Sequence, residues 1–147
     1  MPINLEKEIL KTVVSYAAQE WVLPEKITVS VWADRHRRLD VKTSAEPGQW
    51  STSRTPYLRG IMDAFTDPYV DEISVMAASQ VGKTEAMYNM LGFVLDQDPG
   101  PALMVMPRAD DAKSVSYNRI KPMIEASPTL SQYLPKNTDE ITKLEYH

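Results

Sequence analysis

Apolar residues recur at every fourth position through Leu5, Ile9, Val13, Ala17 and Trp21, which marks one face of a helix. Asn4 suits its N-cap, Glu6 and Glu8 its first turn, and Pro24 ends it. Such a face must pack on something, either the core of its own domain or a partner. Ile27, Val29 and Val31 then alternate as in a short strand, while Ser30 suits the cap of a helix running through Trp32, Arg35 and Leu39. The helix is the expectation there. Residues 40–54 are rich in Ser, Thr, Pro and Gly and read as a loop or linker around Glu46-Pro47-Gly48. Thr55 follows as an N-cap with Pro56 at the first helical position, and Leu58, Ile61, Met62 and Phe65 supply a buried stripe. Asp67-Pro68 closes that element.

The centre of the chain changes period. Ile73, Ser74, Val75 and Met76 read as a buried strand, residues 77–84 as a tight small-residue loop, and the residues after it as an amphipathic helix. The face of that helix is Ala86, Met87, Met90, Leu91 and Val94. The breaker Asp96-Gln97-Asp98-Pro99-Gly100-Pro101 separates it from a second apolar run, Ala102-Leu103-Met104-Val105-Met106, bounded by Pro101 and Pro107 as a buried strand should be. Strand, helix and strand of these lengths predict a right-handed parallel βαβ unit. Beyond it, residues 109–120 look helical with Asp110 and Asp111 in the first turn. Pro122 breaks or kinks that helix, a short further helix lies between Ser127-Pro128 and Leu134-Pro135, and residues 141–147 read as the start of a strand. The fold class expected is α/β: a partial P-loop NTPase with flanking helices, three-layered when complete, preceded by a helical N-terminal segment. The division expected is residues 1–50 as helical segment and linker, and residues 51–147 as the front part of the ATPase domain.

The loop carries the chemistry. Ala77-Ala78-Ser79-Gln80-Val81-Gly82-Lys83-Thr84 meets seven of the eight positions of the phosphate-binding (Walker A) pattern, with Ala77 in place of the opening Gly. A phosphate needs backbone N–H groups, a helix N-terminus and a mobile cation. Gly82 lets the backbone approach closely, Lys83 can reach the β- and γ-phosphates, and the Thr84 hydroxyl can ligate Mg²⁺. The plain alternative is an ordinary strand–turn–helix with Lys83 in a solvated first turn. The helix dipole disfavours a cation there, so an anionic partner explains it better. Tyr57 lies off the apolar stripe of its helix, where its ring can stack on a base or simply pack.

Composition narrows the classes. The 147 residues fit one domain, and 43% hydrophobic with 24% charged residues is ordinary for a globular chain. No apolar run spans a bilayer and no secretory leader is recognisable, so no membrane partner is expected. The absence of cysteine removes disulfides and thiolate metal sites and fits a reducing, cytosolic setting. His36 and His147 are too few and too far apart for a metal cluster. A net charge of −4 argues against an electrostatic nucleic-acid binder as a whole. Arg35, His36, Arg37 and Arg38, with Arg54 and Arg59, form an uneven basic region that reads as a solvated helix face or a phosphate-backbone patch.

An ordered series of segments resembles the ATPase region of phage terminase large subunits of the lambda-like type. It runs through Trp32-Ala33-Asp34-Arg35-His36-Arg37-Arg38-Leu39, Ser44-Ala45-Glu46-Pro47-Gly48-Gln49-Trp50 and Ser53-Arg54-Thr55-Pro56-Tyr57. Ile61-Met62-Asp63-Ala64, Gln80-Val81-Gly82-Lys83-Thr84-Glu85 and the breaker at 96–101 complete it, so the likeness covers roughly residues 30 to 128.

That family is a motor that cuts concatemeric viral DNA and drives it into a procapsid, with an ATPase domain followed by a nuclease domain. The resemblance implies ATP and Mg²⁺ as cofactors. It implies a nucleotide site of Tyr57, Ser79, Gln80, Val81, Gly82, Lys83, Thr84 and Glu85, with Lys83 catalytic, Thr84 on Mg²⁺ and Tyr57 at the adenine. Double-stranded DNA, the small terminase subunit and the procapsid portal are the implied partners, and the bacterial host cytoplasm is the implied location. Residues 1–25 lie where lambda-like members contact the small subunit. Two positions depart from the family: Ser79 stands at or near the place of an arginine that acts in cis, and Leu58 follows Pro-Tyr where Gln is common. No apolar strand ending in an Asp-Glu pair follows residue 107; Glu140 lies in a polar run and Glu145 has no apolar strand before it. The expectation is therefore an ATP-binding front portion of the domain that binds Mg-ATP weakly and turns it over negligibly. The alternatives are a helicase-like DNA translocase fragment, which the ordered series disfavours, and a non-catalytic assembly module.

Overall fold

A computed structural model of the chain describes residues 25–134, together with Lys11 and Val14. The expected N-terminal helix face and the expected strand over 141–147 lie outside the described residues. The architecture is a cluster of helices with one small antiparallel ladder. Helix α1 spans Val29–His36, strand β1 Arg38–Leu39 and strand β2 Gly48–Gln49. Two 3-10 turns, Thr52–Arg54 and Pro56–Leu58, lead into α2, Arg59–Ala64. The long helix α3 is Lys83–Gln97, and α4 is Ala109–Val115. A π-helical turn, Ser116–Ile120, joins α4 to α5, Lys121–Ala126, and α6 is Pro128–Ser131. No described helix is long and apolar enough to cross a membrane.

The core forms where α3 meets α1, α2 and α6. Trp32 of α1 is fully buried against α3, edge-on to Phe93 with ring centroids 6.4 Å apart, and its indole N–H donates to Asp96 Oδ2 at 2.7 Å. Leu130, Met62, Leu58 and Val29 complete the centre. The helix reading of residues 27–39 therefore holds, with two adjustments: Thr28 rather than Ser30 stands at the N-cap, and Leu39 pairs in β1. The stretch around Glu46-Pro47-Gly48 is anchored rather than slack. Leu39 pairs with Gly48 and Arg38 with Gln49, and Trp50 and Thr52 are buried just beyond.

Other expectations shift for local reasons. Thr55 precedes the turn as expected, but its hydroxyl is buried without a partner and caps nothing, because the chain enters α2 through a 3-10 turn. Of the expected break or kink at Pro122, the break does not occur: the helical run continues through it. The proline has no N–H to donate and its ring crowds the preceding turn, and the wide π turn directly before α5 gives it room.

The parallel strands are the main departure. Residues 73–76 and 102–106 carry no ladder, and much of their apolar surface is open: Met76 is fully exposed, Leu103 89% and Val105 78%. Parallel strands are stable where both faces of a sheet are covered and several strands share the ladder. Here α3 lies beside both runs, with Ile61 and Phe65 near the first and α4 and the π turn near the second, and neither run has a strand neighbour among the described residues. The predicted apolar face of α3 looks the same way. Ala86 is buried, but Met87 is 46% exposed, and the side packed on the other helices is Ala86, Tyr88, Asn89, Gly92 and Phe93. Met87 and Met90 instead line an open cavity of about 650 Å³ with Ile73 and Val75, and a smaller one with residues 102–105. Apolar on nearly every side, α3 has the surface of a helix meant to be covered all round.

Gly92 is the point of closest approach in the core. A Cβ there would stand 2.9 Å from Trp32 Cζ3 and nearer still to Cη2. Gly92→Ala should destabilise the fold by about 1–2 kcal/mol, since overpacking a buried ring outweighs the gain of about 1 kcal/mol in helix propensity. Urea unfolding followed by tryptophan fluorescence measures it, and an unchanged midpoint would mean that the ring can move aside.

Candidate nucleotide site

The loop ahead of α3 is shaped by two left-handed residues. Gly82, the N-cap of α3, has φ 85°, and Gln80 has φ 59°, the one non-glycine residue at positive φ among those described. A side chain at 82 would be strained by that φ and would also meet Leu58 Cδ1 at 3.1 Å. The requirement for glycine is thus double. Left-handed residues alternating through a turn aim successive backbone N–H groups at one concave point, and the helix that follows leaves its first-turn N–H groups without intrahelical partners. A backbone of this kind at residues 80–84 is suited to receive an anion.

Lys83 is the first residue of α3 and its side chain turns back over the loop. Its Nζ donates to the carbonyls of Ala77 at 2.9 Å and Ala78 at 2.8 Å. The ammonium therefore closes the loop on itself, and the same donors must leave those carbonyls to serve a phosphate. Tyr57 reaches the loop from the other side: its hydroxyl donates to the Val81 carbonyl at 3.1 Å while the ring stays more than half exposed. Thr84 is exposed next to Lys83, and both border the large cavity together with Asp71. Ser79 and Gln80 are exposed on the loop.

Glu85 faces elsewhere. Its carboxylate accepts from Arg37 Nη2 at 3.1 Å, and the Arg37 side chain is 4% exposed. Burial lowers the Arg37 pKa from its ordinary value and Glu85 opposes that; burial likewise raises the pKa of neighbouring Tyr88, with Glu85 adding to it. The structure thus gathers Tyr57, Val81, Gly82, Lys83 and Thr84 around the loop and takes the Glu85 side chain to α1.

Two participants were not visible in the pattern. Arg37 sits inside a run of basic residues that suits a solvated face, and the structure splits that run: Arg35 pairs with Glu25 at the surface, Arg38 is exposed and Arg37 is inside. Asp71 precedes an apolar run with nothing local to single it out. Arg54 is paired with Glu46, and Arg119 donates to the Thr43 carbonyl at 2.9 Å.

The donor set fits a phosphate better than it fits a complete magnesium site. Backbone N–H groups and Lys83 match a polyphosphate, and Thr84 supplies one oxygen for a divalent cation. Among the described residues no group of three or more His, Cys, Asp or Glu could hold a metal ion.

Comparison with known proteins identifies the family. The sequence model of the family described as "Phage terminase large subunit gpA, ATPase domain" matches residues 44–146. The large terminase subunit of Escherichia phage lambda is 26% identical over 112 residues, 76% of this chain and 17% of that protein. The large terminase subunit of Enterobacteria phage P21 is 22% identical over 114 residues, 78% of this chain and again 17% of the relative. The chain thus spans about a sixth of the length of the curated relatives it matches. No solved structure matches it.

Gly82→Ala should lower stability by about 1–2 kcal/mol, from the left-handed strain and the Leu58 contact together. Gly60→Ala, on the exposed side of α2 with nothing within 4 Å, should be neutral or stabilising by up to about 1 kcal/mol. Paired thermal melts distinguish the two, and equal shifts would show that the loop does not hold its conformation in solution.

Proposed function

The chain belongs to the family of phage terminase large subunit gpA ATPase domains, and from that premise we propose that it is the ATP-binding portion of a DNA-packaging motor. The observation that carries this reading is the loop at 77–84: a left-handed Gly82 capping α3, with Lys83 at the first helical position and its ammonium within reach of the loop. Residues 80–84 would receive the triphosphate through backbone N–H groups, Lys83 would exchange the Ala77 and Ala78 carbonyls for β- and γ-phosphate oxygens, and Thr84 would offer its hydroxyl to Mg²⁺. Bound magnesium would neutralise phosphate charge. Tyr57, held to Val81 through its hydroxyl, leaves a ring face open to an adenine.

In this reading residues 51–147 are the front part of the ATPase domain, with a parallel P-loop sheet that takes shape when residues 73–76 and 102–106 gain strand neighbours. The open cavities along α3 and the exposed apolar side chains of those runs support it. The motor's double-stranded DNA, small terminase subunit and procapsid portal would be the partners of the whole assembly, in the cytoplasm of a bacterial host. Hydrolysis needs a carboxylate on the metal and another group to orient the attacking water. Neither stands among the loop residues, so the loop by itself is read as a binding unit.

Calorimetric titration with Mg-ATP should show weak binding that Lys83→Ala reduces at least tenfold, with negligible phosphate release in either protein. A folded sample that binds no nucleotide would favour a non-catalytic assembly module. Sustained turnover abolished by Lys83→Ala would show that the catalytic carboxylates are present after all.

A further inference from the structure

Glu85 is the third residue of α3, counted from the Gly82 N-cap. A carboxylate at that position ordinarily faces the positive end of the helix and can turn back onto the N-cap N–H. In a loop that must receive a phosphate, the same habit competes for the donors and repels the anion. Here the carboxylate is drawn off. Arg37 Nη2 holds Glu85 Oε2, Arg37 Nη1 donates to the Arg38 carbonyl, and Nε is buried with no acceptor.

The arginine is fixed along its backbone as well. Its N–H donates to Ala33 at 3.0 Å, and its carbonyl accepts from Trp50 N at 2.9 Å and Gln49 Nε2 at 3.0 Å. Net stability alone is a weak account of this side chain. Buried ion pairs seldom improve on apolar residues of the same size, and a donor without an acceptor is a cost. Charge placement at the head of α3 does account for it.

We propose that Arg37 is a positioning residue for the nucleotide site: it withdraws and neutralises the Glu85 carboxylate, leaving the first turn of α3 free for phosphate. The inference rests on the nucleotide reading above. Tyr57, Lys83 and Thr84 would touch the ligand; Arg37 acts only through Glu85.

The test is Mg-ATP titration of the 147-residue chain as wild type, Arg37→Met and Arg37→Met/Glu85→Gln. The single variant removes the buried charge and frees a carboxylate that is one-third exposed and can hydrate. Affinity should fall roughly tenfold in it, more at low salt than at high, from one added negative charge beside the phosphates. The double variant should recover most of that loss. Both lack the buried guanidinium, so a loss due to packing alone would persist in the double variant and would overturn the proposal, as would unchanged affinity in Arg37→Met. Wild-type protein that is helical by circular dichroism yet binds no Mg-ATP would overturn the nucleotide reading and this inference with it, a result distinct from wild-type binding that the substitutions leave untouched.

Discussion

Trp32 packs against Gly92, the one position in the middle of α3 without a side chain, and its indole N–H is tied to Asp96 a turn further on. The fit fixes both the rotation and the height of α3 relative to α1. Everything at the head of α3 inherits that placement, because a helix transmits position along its length with little give. Gly82, Lys83 and Thr84 stand where they do because Gly92 lies ten residues later on the same rigid rod. Substituting a smaller ring at 32 or a larger residue at 92 would loosen the head of the helix from its far end.

A second tie secures the head directly. Arg37, just past the end of α1, reaches Glu85 in the first turn of α3, while Arg38 N donates to Ser127 Oγ and so links the same junction to the end of α5. The loop is thereby held on one side by helices and on the other by Tyr57 at Val81. Its remaining side has no such frame. Residues 73–76 lead into the loop without a ladder, and Lys83 occupies the loop's own carbonyls. The result is a half-framed loop: fixed where the helix begins, and without a ladder where residues 73–76 enter it.

Much of this was legible in the chain. The position of α3, its breaker at 96–101, the helices after Pro107 and the special character of Gly82-Lys83-Thr84 all follow from period, punctuation and motif, since those signals are local. The ordered series of segments carried family membership for the same reason. The helical face over 86–94 was read correctly as apolar, and most of it looks towards residues 73–76 and 102–105; the other side of α3, packed on the helices, was not singled out, because periodicity marks one apolar face and says nothing of a second. The strands at 73–76 and 102–106 have the composition of buried strands. Composition, however, cannot supply the adjacent backbone that a ladder needs.

The sequence by itself determined the loop, because a left-handed glycine followed by a lysine at a helix start is a property of a few consecutive residues. Only the tertiary structure decided the fate of the charges around it. Arg37 looked like one member of a basic run on a solvated face or a phosphate-backbone patch, and Glu85 like one more residue of the motif. Their pairing spans 48 residues and depends on how α1 docks on α3. That docking is set by the shape of a tryptophan against a glycine, and no local pattern encodes a fit between two surfaces.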